Sequence, residues 1–223
     1  MAVGVHQLTV GVLGGTGPLG GGLARRFAAA GLKVVVGSRD ARRGARVARE
    51  IERDVPDAGV LGGDNQEAAR WADVLVVAVP YEGHADLLRD LAGPLAGKIV
   101  VDAVNPLGFD SRGAYALDVP EGSAAQQAAA LLPDSRVTAA FHHVSAPLLL
   151  DPGVANIDLD VLVLGDDRGA TDTVQALAGV LPGARGLYGG RLRNARQVEA
   201  FTANLISINR RYKAHAGLRI TDV

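Results

Sequence analysis

The sequence predicts an α/β protein built on a doubly wound, mostly parallel sheet wrapped by helices. Three observations carry this. Short apolar runs alternate with helical patterns along most of the chain, as they do where a parallel sheet is wrapped by crossover helices. The runs are apolar throughout rather than alternating, as expected of strands covered on both faces. The first run leads into a glycine turn, Gly14-Gly15-Thr16-Gly17-Pro18-Leu19-Gly20, and the turn leads into a helical pattern.

In chain order, strands are predicted over residues 9–13, 33–37, 74–79, 99–102, 137–140 and 161–164, with a weaker one near Val60 and Leu61. Helices are predicted over 19–30, 41–54, 66–71, 83–91, 124–132 and 170–180, and a long one over 194–213. Val198, Phe201, Leu205 and Ile208 fall at helical spacing on that last segment, a stripe that reads as core or dimer seam. Residues 103–122 show no period and are rich in Gly, Pro and Asp, so they read as a long functional or mobile loop. The division expected is a Rossmann-type nucleotide-binding domain over 1–140 and a small C-terminal α/β extension over 141–223, ending in the long helix.

With 223 residues, 48% of them hydrophobic, the chain can bury a real core. A net charge of −1 gives no reason to expect nucleic acid or an anionic membrane as partner. Cysteine is absent, which removes disulfides, thiolate nucleophiles and cysteine metal sites. No apolar run approaches the roughly 18 residues of a membrane span, and residues 1–7 lack a basic stretch followed by an apolar one. A soluble, cytoplasmic protein is expected.

Strand, glycine turn and helix together make G-x-G-x-x-G a dinucleotide-binding fingerprint. Gly15 is expected to make the tight turn, Gly17 to let the backbone approach a pyrophosphate, and Gly20 to let helix and strand pack closely. The helix N-terminus offers free N–H groups and partial positive charge to the phosphates. Pro18 suits a first helical turn, where its missing N–H costs nothing. The end of the second strand selects the nucleotide. An NAD site places Asp or Glu there; this chain has Gly37-Ser38-Arg39, with Arg42 and Arg43 following. A hydroxyl and guanidinium groups suit a 2′-phosphate, so NADP is expected, with Asp40 capping the next helix.

Ligands in such sheets bind beyond the strands' carboxyl ends. Three more ends carry unusual residues: Ala78-Val79-Pro80-Tyr81, Asp102-Ala103-Val104-Asn105-Pro106, and Phe141-His142-His143-Val144-Ser145-Ala146. Pro80 stops its strand. Asn105-Pro106 also reads as a plain turn, and His142 and His143 read equally as interior or as ligand-facing. On a strand the two histidines would point to opposite faces and could not chelate together. There is no Tyr with Lys four residues on, no metal-ligand spacing and no G-x-S-x-G elbow. Such a site holds a cofactor but is poor in acid–base groups. Hydride exchange between two redox cofactors, which needs mainly the positioning of their rings, suits it best.

The ordered set Gly14–Gly20, Val36-Gly37-Ser38-Arg39, Ala78-Val79-Pro80, Asn105-Pro106, Ser123-Ala124-Ala125, Phe141 through Ala146, and Asn194-Ala195-Arg196 before a long helix resembles the NADPH-dependent F-420 reductases over almost the whole chain. The resemblance implies hydride transfer between NADP(H) and coenzyme F-420, an 8-hydroxy-5-deazaflavin. It implies Thr16 and Leu19 at the pyrophosphate, Ser38, Arg39 and Arg43 at the 2′-phosphate, and Val79 and Pro80 beside the dinucleotide. It further implies His142, Val144 and Ala146 near the stacked rings, and a homodimer to which the C-terminal helix contributes. Ser145 stands where the family pattern has proline. Competing readings are an imine or carbonyl reductase like the pyrroline-carboxylate reductases, the nucleotide domain of a membrane ferric reductase, and a nucleotide-sensing module without chemistry.

Overall fold

The apolar runs become the strands of one sheet. In the computed structural model, which describes residues 4–223, the first half of the chain folds as β1 (Thr9–Leu13), α1 (Pro18–Ala29), β2 (Lys33–Ser38), α2 (Ala41–Asp54), β3 (Leu61–Asp64), α3 (Asn65–Trp71), β4 (Val74–Val77), α4 (His84–Leu95) and β5 (Ile99–Asp102). A hairpin of β6 (Leu107–Asp110) and β7 (Gly113–Ala116) follows, then α5 (Ala124–Leu131), β8 (Arg136–Ala139) and the short α6 (Ala146–Leu150). The chain closes with β9 (Asp160–Gly165), α7 (Arg168–Ala178), β10 (Arg185–Gly190) and the long α8 (Ala195–Tyr212).

The sheet order is β10-β9-β8-β5-β4-β1-β2-β3. Six strands, β3-β2-β1-β4-β5-β8, are mutually parallel. β9 joins β8 antiparallel, and β10 joins β9 in parallel, so both strands of the C-terminal extension lengthen the same sheet. The chain moves outward from β1 to β2 and β3, then returns to β4 on the other flank of β1. That reversal opens a crevice beyond the carboxyl ends of β1 and β4.

Successive strand residues point to opposite faces, and each face has its own core. Val10, Val12, Val34 and Val36 pack with Leu23 and Phe27 of α1, Ile51 of α2, and Val174 and Leu177 of α7. Leu13, Val35, Leu75 and Val77 pack on the other face with Ala68 of α3, Leu88 and Leu91 of α4, Ala128 of α5, and Val198 of α8. Each such buried Val, Leu or Phe side chain contributes about 1.5–3 kcal/mol by leaving water.

The structure differs from the expected elements in several places. The strand expected over 74–79 ends at Val77, freeing residues 78–80 as a loop at the crevice. α4 runs on to Leu95 although Pro94 lies inside it. Pro94 has no N–H for the Asp90 carbonyl, and Gln66 Nε2 supplies the missing donor at 3.0 Å. The stretch expected as a loop over 103–122 contains the β6–β7 hairpin, turned by Asp110, whose carboxylate accepts from Arg112 N at 2.8 Å. Phe141, His142 and His143 follow β8 in a turn rather than lying on a strand. No helix among the described residues is long and apolar enough to cross a membrane.

Candidate functional site

The crevice begins with the glycine turn. Gly14, not Gly15, adopts the left-handed conformation, with φ of +74°. A Cβ on Gly14 would also lie 2.6 Å from the Ala78 carbonyl oxygen, so β1 and β4 exit side by side only because this residue has none. Gly15 is closed off by Val12 O, which a Cβ would meet at 2.9 Å, and Gly20 by Gly14 O at 2.7 Å. A Cβ on Gly17 would meet nothing nearer than 3.4 Å. The third residue of the fingerprint therefore keeps open space before it, where the other three are tight against protein.

Gly17 is the N-cap of α1, with Pro18 in the first turn. Gly17 N and Gly21 N are taken, by Gly14 O and Gly17 O. The N–H groups of Thr16, Leu19 and Gly20 have no backbone acceptor among the described residues. These orphan donors at the positive end of a helix are the donor set an anionic diphosphate needs. The residues present fit the group.

At the end of β2, Ser38 is buried and its hydroxyl oxygen accepts from Asp40 N at 3.3 Å. Asp40 caps α2 by accepting from Arg42 N at 2.9 Å, so this acidic group is spent on the helix. Arg39 and Arg43 are exposed beside it. Among the described residues no carboxylate lies within ion-pair distance of Arg39, Arg42 or Arg43. Free guanidinium groups stand where an NAD site carries an acid.

Past β4, Val79 is half-buried against the Gly14 turn and Pro80 is exposed at the lip. Past β5, Asn105 spends its side-chain amide on protein: Nδ2 donates to His142 O at 3.3 Å, and Oδ1 accepts from Thr202 Oγ1 at 3.0 Å. Asn105 is thus the joint between the β5 end, the turn after β8, and α8.

That turn is strained. Phe141 is buried with φ of +67°, a conformation bulky residues rarely adopt, and its ring meets Phe27 edge-on at 6.0 Å. After it the chain carries His142 inward, where it is buried. Both its ring nitrogens are buried without a hydrogen-bond partner, and burial holds it neutral, its pKa lowered to about 3. His143 Nε2 instead donates to Val198 O at 2.7 Å; since a carbonyl only accepts, Nε2 carries the proton. A cleft of about 300 Å³ opens here, lined among others by His142, Val144, Ala146, Thr202, Ile206 and His215. α6, which starts at Ala146, is fixed to the cradle helix: Gly22 of α1 admits Leu149, and Arg26 donates to the carbonyls of Leu148, Leu149, Asp151 and Val154.

Cradle, arginines, Val79-Pro80, Asn105 and the His142 turn all lie at the carboxyl ends of adjacent strands. The cleft carries one hydroxyl–imidazole contact, Ser145 Oγ to His215 Nδ1 at 3.2 Å, with His215 exposed to solvent, and no group of three or more potential metal ligands occurs among the described residues. A hydrophobic wall, a neutral imidazole and main-chain donors can bind and orient flat ligands; they supply little acid–base chemistry.

Sequence reasoning noted Asp102 at a strand end but missed that it is grouped with His84 and Glu199 in a second set of buried polar residues, each at most 2% exposed. His84 Nε2 lies 2.6 Å from Asp102 Oδ2, and its Nδ1 lies 3.0 Å from Gln127 Oε1. Burial pushes the Glu199 carboxyl up to about 7, against the opposing pull of the Ala124 and Ala125 N–H groups. The one local signal was an acid beside the apolar stripe, Glu199 after Val198.

Comparison with known proteins gives the family. A family model described as NADP oxidoreductase, coenzyme F420-dependent, matches residues 9–106. The F420-dependent NADP reductase of Methanothermobacter marburgensis is 39% identical over 225 residues, 97% of this chain and 99% of the relative. That of Methanocaldococcus jannaschii is 36% identical over 224 residues, 97% and 99% of the two chains. A crystal structure from Arthrobacter sp. FB24, described as a candidate F420-dependent NADP reductase, superposes with a TM-score of 0.78 at 25% identity, covering 96% of this chain and 99% of that one.

Proposed function

This chain belongs to the coenzyme F420-dependent NADP oxidoreductases, enzymes that move hydride between NADP(H) and the deazaflavin coenzyme F-420, and we propose that it does so across the crevice bounded by Gly14–Gly20 on one side and Phe141–Ala146 on the other. One observation carries the assignment of the site. Orphan N–H donors at Thr16, Leu19 and Gly20, and unpaired guanidinium groups at Arg39 and Arg43, stand at neighbouring strand ends of the same crevice.

In this reading the main-chain N–H groups of Thr16, Leu19 and Gly20 hold the pyrophosphate, with Gly15 and Gly17 letting the backbone approach it and Pro18 starting the first turn of α1. Ser38, Arg39 and Arg43 hold the 2′-phosphate. Val79 and Pro80 carry the nicotinamide end toward the cleft. Asn105 buttresses His142, and His142, Val144 and Ala146 form the wall that orients the deazaflavin. The two cofactors supply the redox chemistry between them, and the protein supplies alignment and exclusion of water. His142, neutral by burial, can donate one hydrogen bond from its unpartnered ring but holds no proton to give as an acid near neutral pH.

Residues 1–140 would act as the NADP-binding unit and 141–223 as the wall completing the cleft. The exposed apolar side chains Phe201, Ile208 and Tyr212 share one face of α8 and support a homodimer seam there. The absence of cysteine suits a reducing cytoplasm.

The test is a label. Protein mixed with NADPH deuterated at carbon 4 and with oxidised F-420 should carry the deuterium directly into the reduced deazaflavin. Loss of the label to water would overturn direct transfer, and absence of any deazaflavin reduction would overturn the reading.

A further inference from the structure

His84 opens α4 and is fully buried, with an acceptor against each ring nitrogen: Asp102 Oδ2 at 2.6 Å and Gln127 Oε1 at 3.0 Å. The Gln127 assignment is constrained, because its amide nitrogen already donates to Glu121 Oε2 at 3.1 Å. Two acceptors require an N–H on both nitrogens, so His84 is an imidazolium. Asp102 turns its other oxygen to Val104 N at 3.0 Å, at the end of β5. Glu199, on α8, accepts from the first N–H groups of α5, Ala124 N at 2.9 Å and Ala125 N at 3.1 Å. Three residues after Asp102 comes Asn105; three residues after Glu199 comes Thr202. These two partners make the hydrogen bond that holds the His142 main chain.

We infer that His84 is a positioning residue: bonded to Asp102 at the end of β5 and to Gln127 of α5, whose first N–H groups are held by Glu199 of α8, it keeps β5 and α8 in the relation that fixes the Asn105–Thr202 joint and, through it, the His142 wall of the cleft. The inference rests on reading that cleft as the deazaflavin site. The ionisable groups around the imidazolium are Asp102 from β5, Glu199 from α8, and Tyr81, whose ring centroid is 6.3 Å away, with Glu121 behind the Gln127 amide. Apart from His84 all of them are acids. Burial opposes charge on His84, but Asp102 and Gln127 outweigh it and the net direction is up. Raising the pH through the folded values of His84 and Glu199 removes the cation and leaves buried carboxylates facing one another. The joint therefore loosens as pH rises past the folded range of His84, and deazaflavin affinity falls with it.

Nitrogen-15 NMR of the ring of His84 in the whole protein, at about pH 7.5, where an ordinary imidazole is neutral, reads the charge directly. Both nitrogens protonated is the result expected; one bare nitrogen overturns the inference. Binding of oxidised F-420, read by quenching of its own fluorescence, should weaken about tenfold in His84→Gln, while NADPH binding stays within about twofold. Pairing it with Asp102→Asn removes the uncompensated carboxylate and should recover part of the loss. Equal weakening for both cofactors, or none, would contradict a role specific to the wall. Should His84→Gln fail to fold, the NMR reading of the unaltered protein decides. Because that reading needs no turnover, it fails or stands separately from the assignment of the deazaflavin as substrate.

Discussion

Gly14 and Ala78 hold the two central strand ends together: a Cβ on Gly14 would stand 2.6 Å from the Ala78 carbonyl oxygen, and Gly14 itself has φ of +74°. Two independent costs therefore attach to any side chain there. A left-handed non-glycine residue costs about 1–2 kcal/mol, and forcing atoms into packed space costs about 1–3 kcal/mol more. Gly14→Ala should lose about 2–5 kcal/mol of stability in denaturant unfolding, the sum of those ranges, together with most of its NADP affinity. Gly17→Ala is the contrast, since its Cβ meets only Gly14 O at 3.4 Å. It should keep its melting temperature and lose NADP binding alone.

Arg39 stands free at the end of β2, where an NAD site has an acid. Hydrogen bonds to charged groups are worth about 1.5–3 kcal/mol. Arg39→Asp should weaken NADPH binding by roughly ten- to hundredfold and leave NADH binding nearly unchanged. Isothermal titration with both nucleotides checks this, and equal losses would remove Arg39 from the 2′-phosphate.

Arg26 carries α6 to the cradle helix through four carbonyls, those of Leu148, Leu149, Asp151 and Val154. Arg26→Ala leaves those acceptors without their donor. Stability should fall by about 2–4 kcal/mol, and hydrogen exchange should speed up locally over residues 146–154. A uniform change across the sheet would show that the contact is not local.

Asp160 is fully buried and accepts from Arg185, Arg219 and Ile220 N. The Arg185 guanidinium, ahead of the other partners, holds its carboxyl well below the usual range. A depressed folded pKa stabilises above the unfolded value of 3.8 and ceases to do so as pH falls through the folded one. Asp160→Asn should cost about 3–5 kcal/mol near neutral pH, and its difference from the unaltered protein should shrink below about pH 4. A pH-independent difference would mean that packing, not charge, holds the tail segment against β9.

Most of the sheet was legible because its strands are doubly covered and therefore apolar without interruption, as in Val34-Val35-Val36 and Val74-Leu75-Val76-Val77. β10 was not, since Arg185-Gly186-Leu187-Tyr188-Gly189-Gly190 pairs only through β9 and carries loop-like glycines. The β6–β7 hairpin was hidden for the same reason: it stands apart from the main sheet with Phe109 and Tyr115 exposed, so no buried face imposes a period. In the site, local pattern placed the glycine turn but gave the tight turn to Gly15, where its neighbour Gly14 takes the positive φ, a choice two adjacent glycines leave to the tertiary packing. The His84–Asp102–Glu199 set was invisible because its members are brought together by the topology and share no spacing in sequence.

The central claim is that the Gly14–Gly20 turn grips NADP so that its reactive ring faces the His142 wall. A crystal of the protein soaked with NADP tests it most directly. The account predicts the pyrophosphate on the N–H groups of Thr16, Leu19 and Gly20, the 2′-phosphate against Arg39, and open space between the nicotinamide and His142. A bare turn, or a nicotinamide position walled off from the cleft, would contradict it.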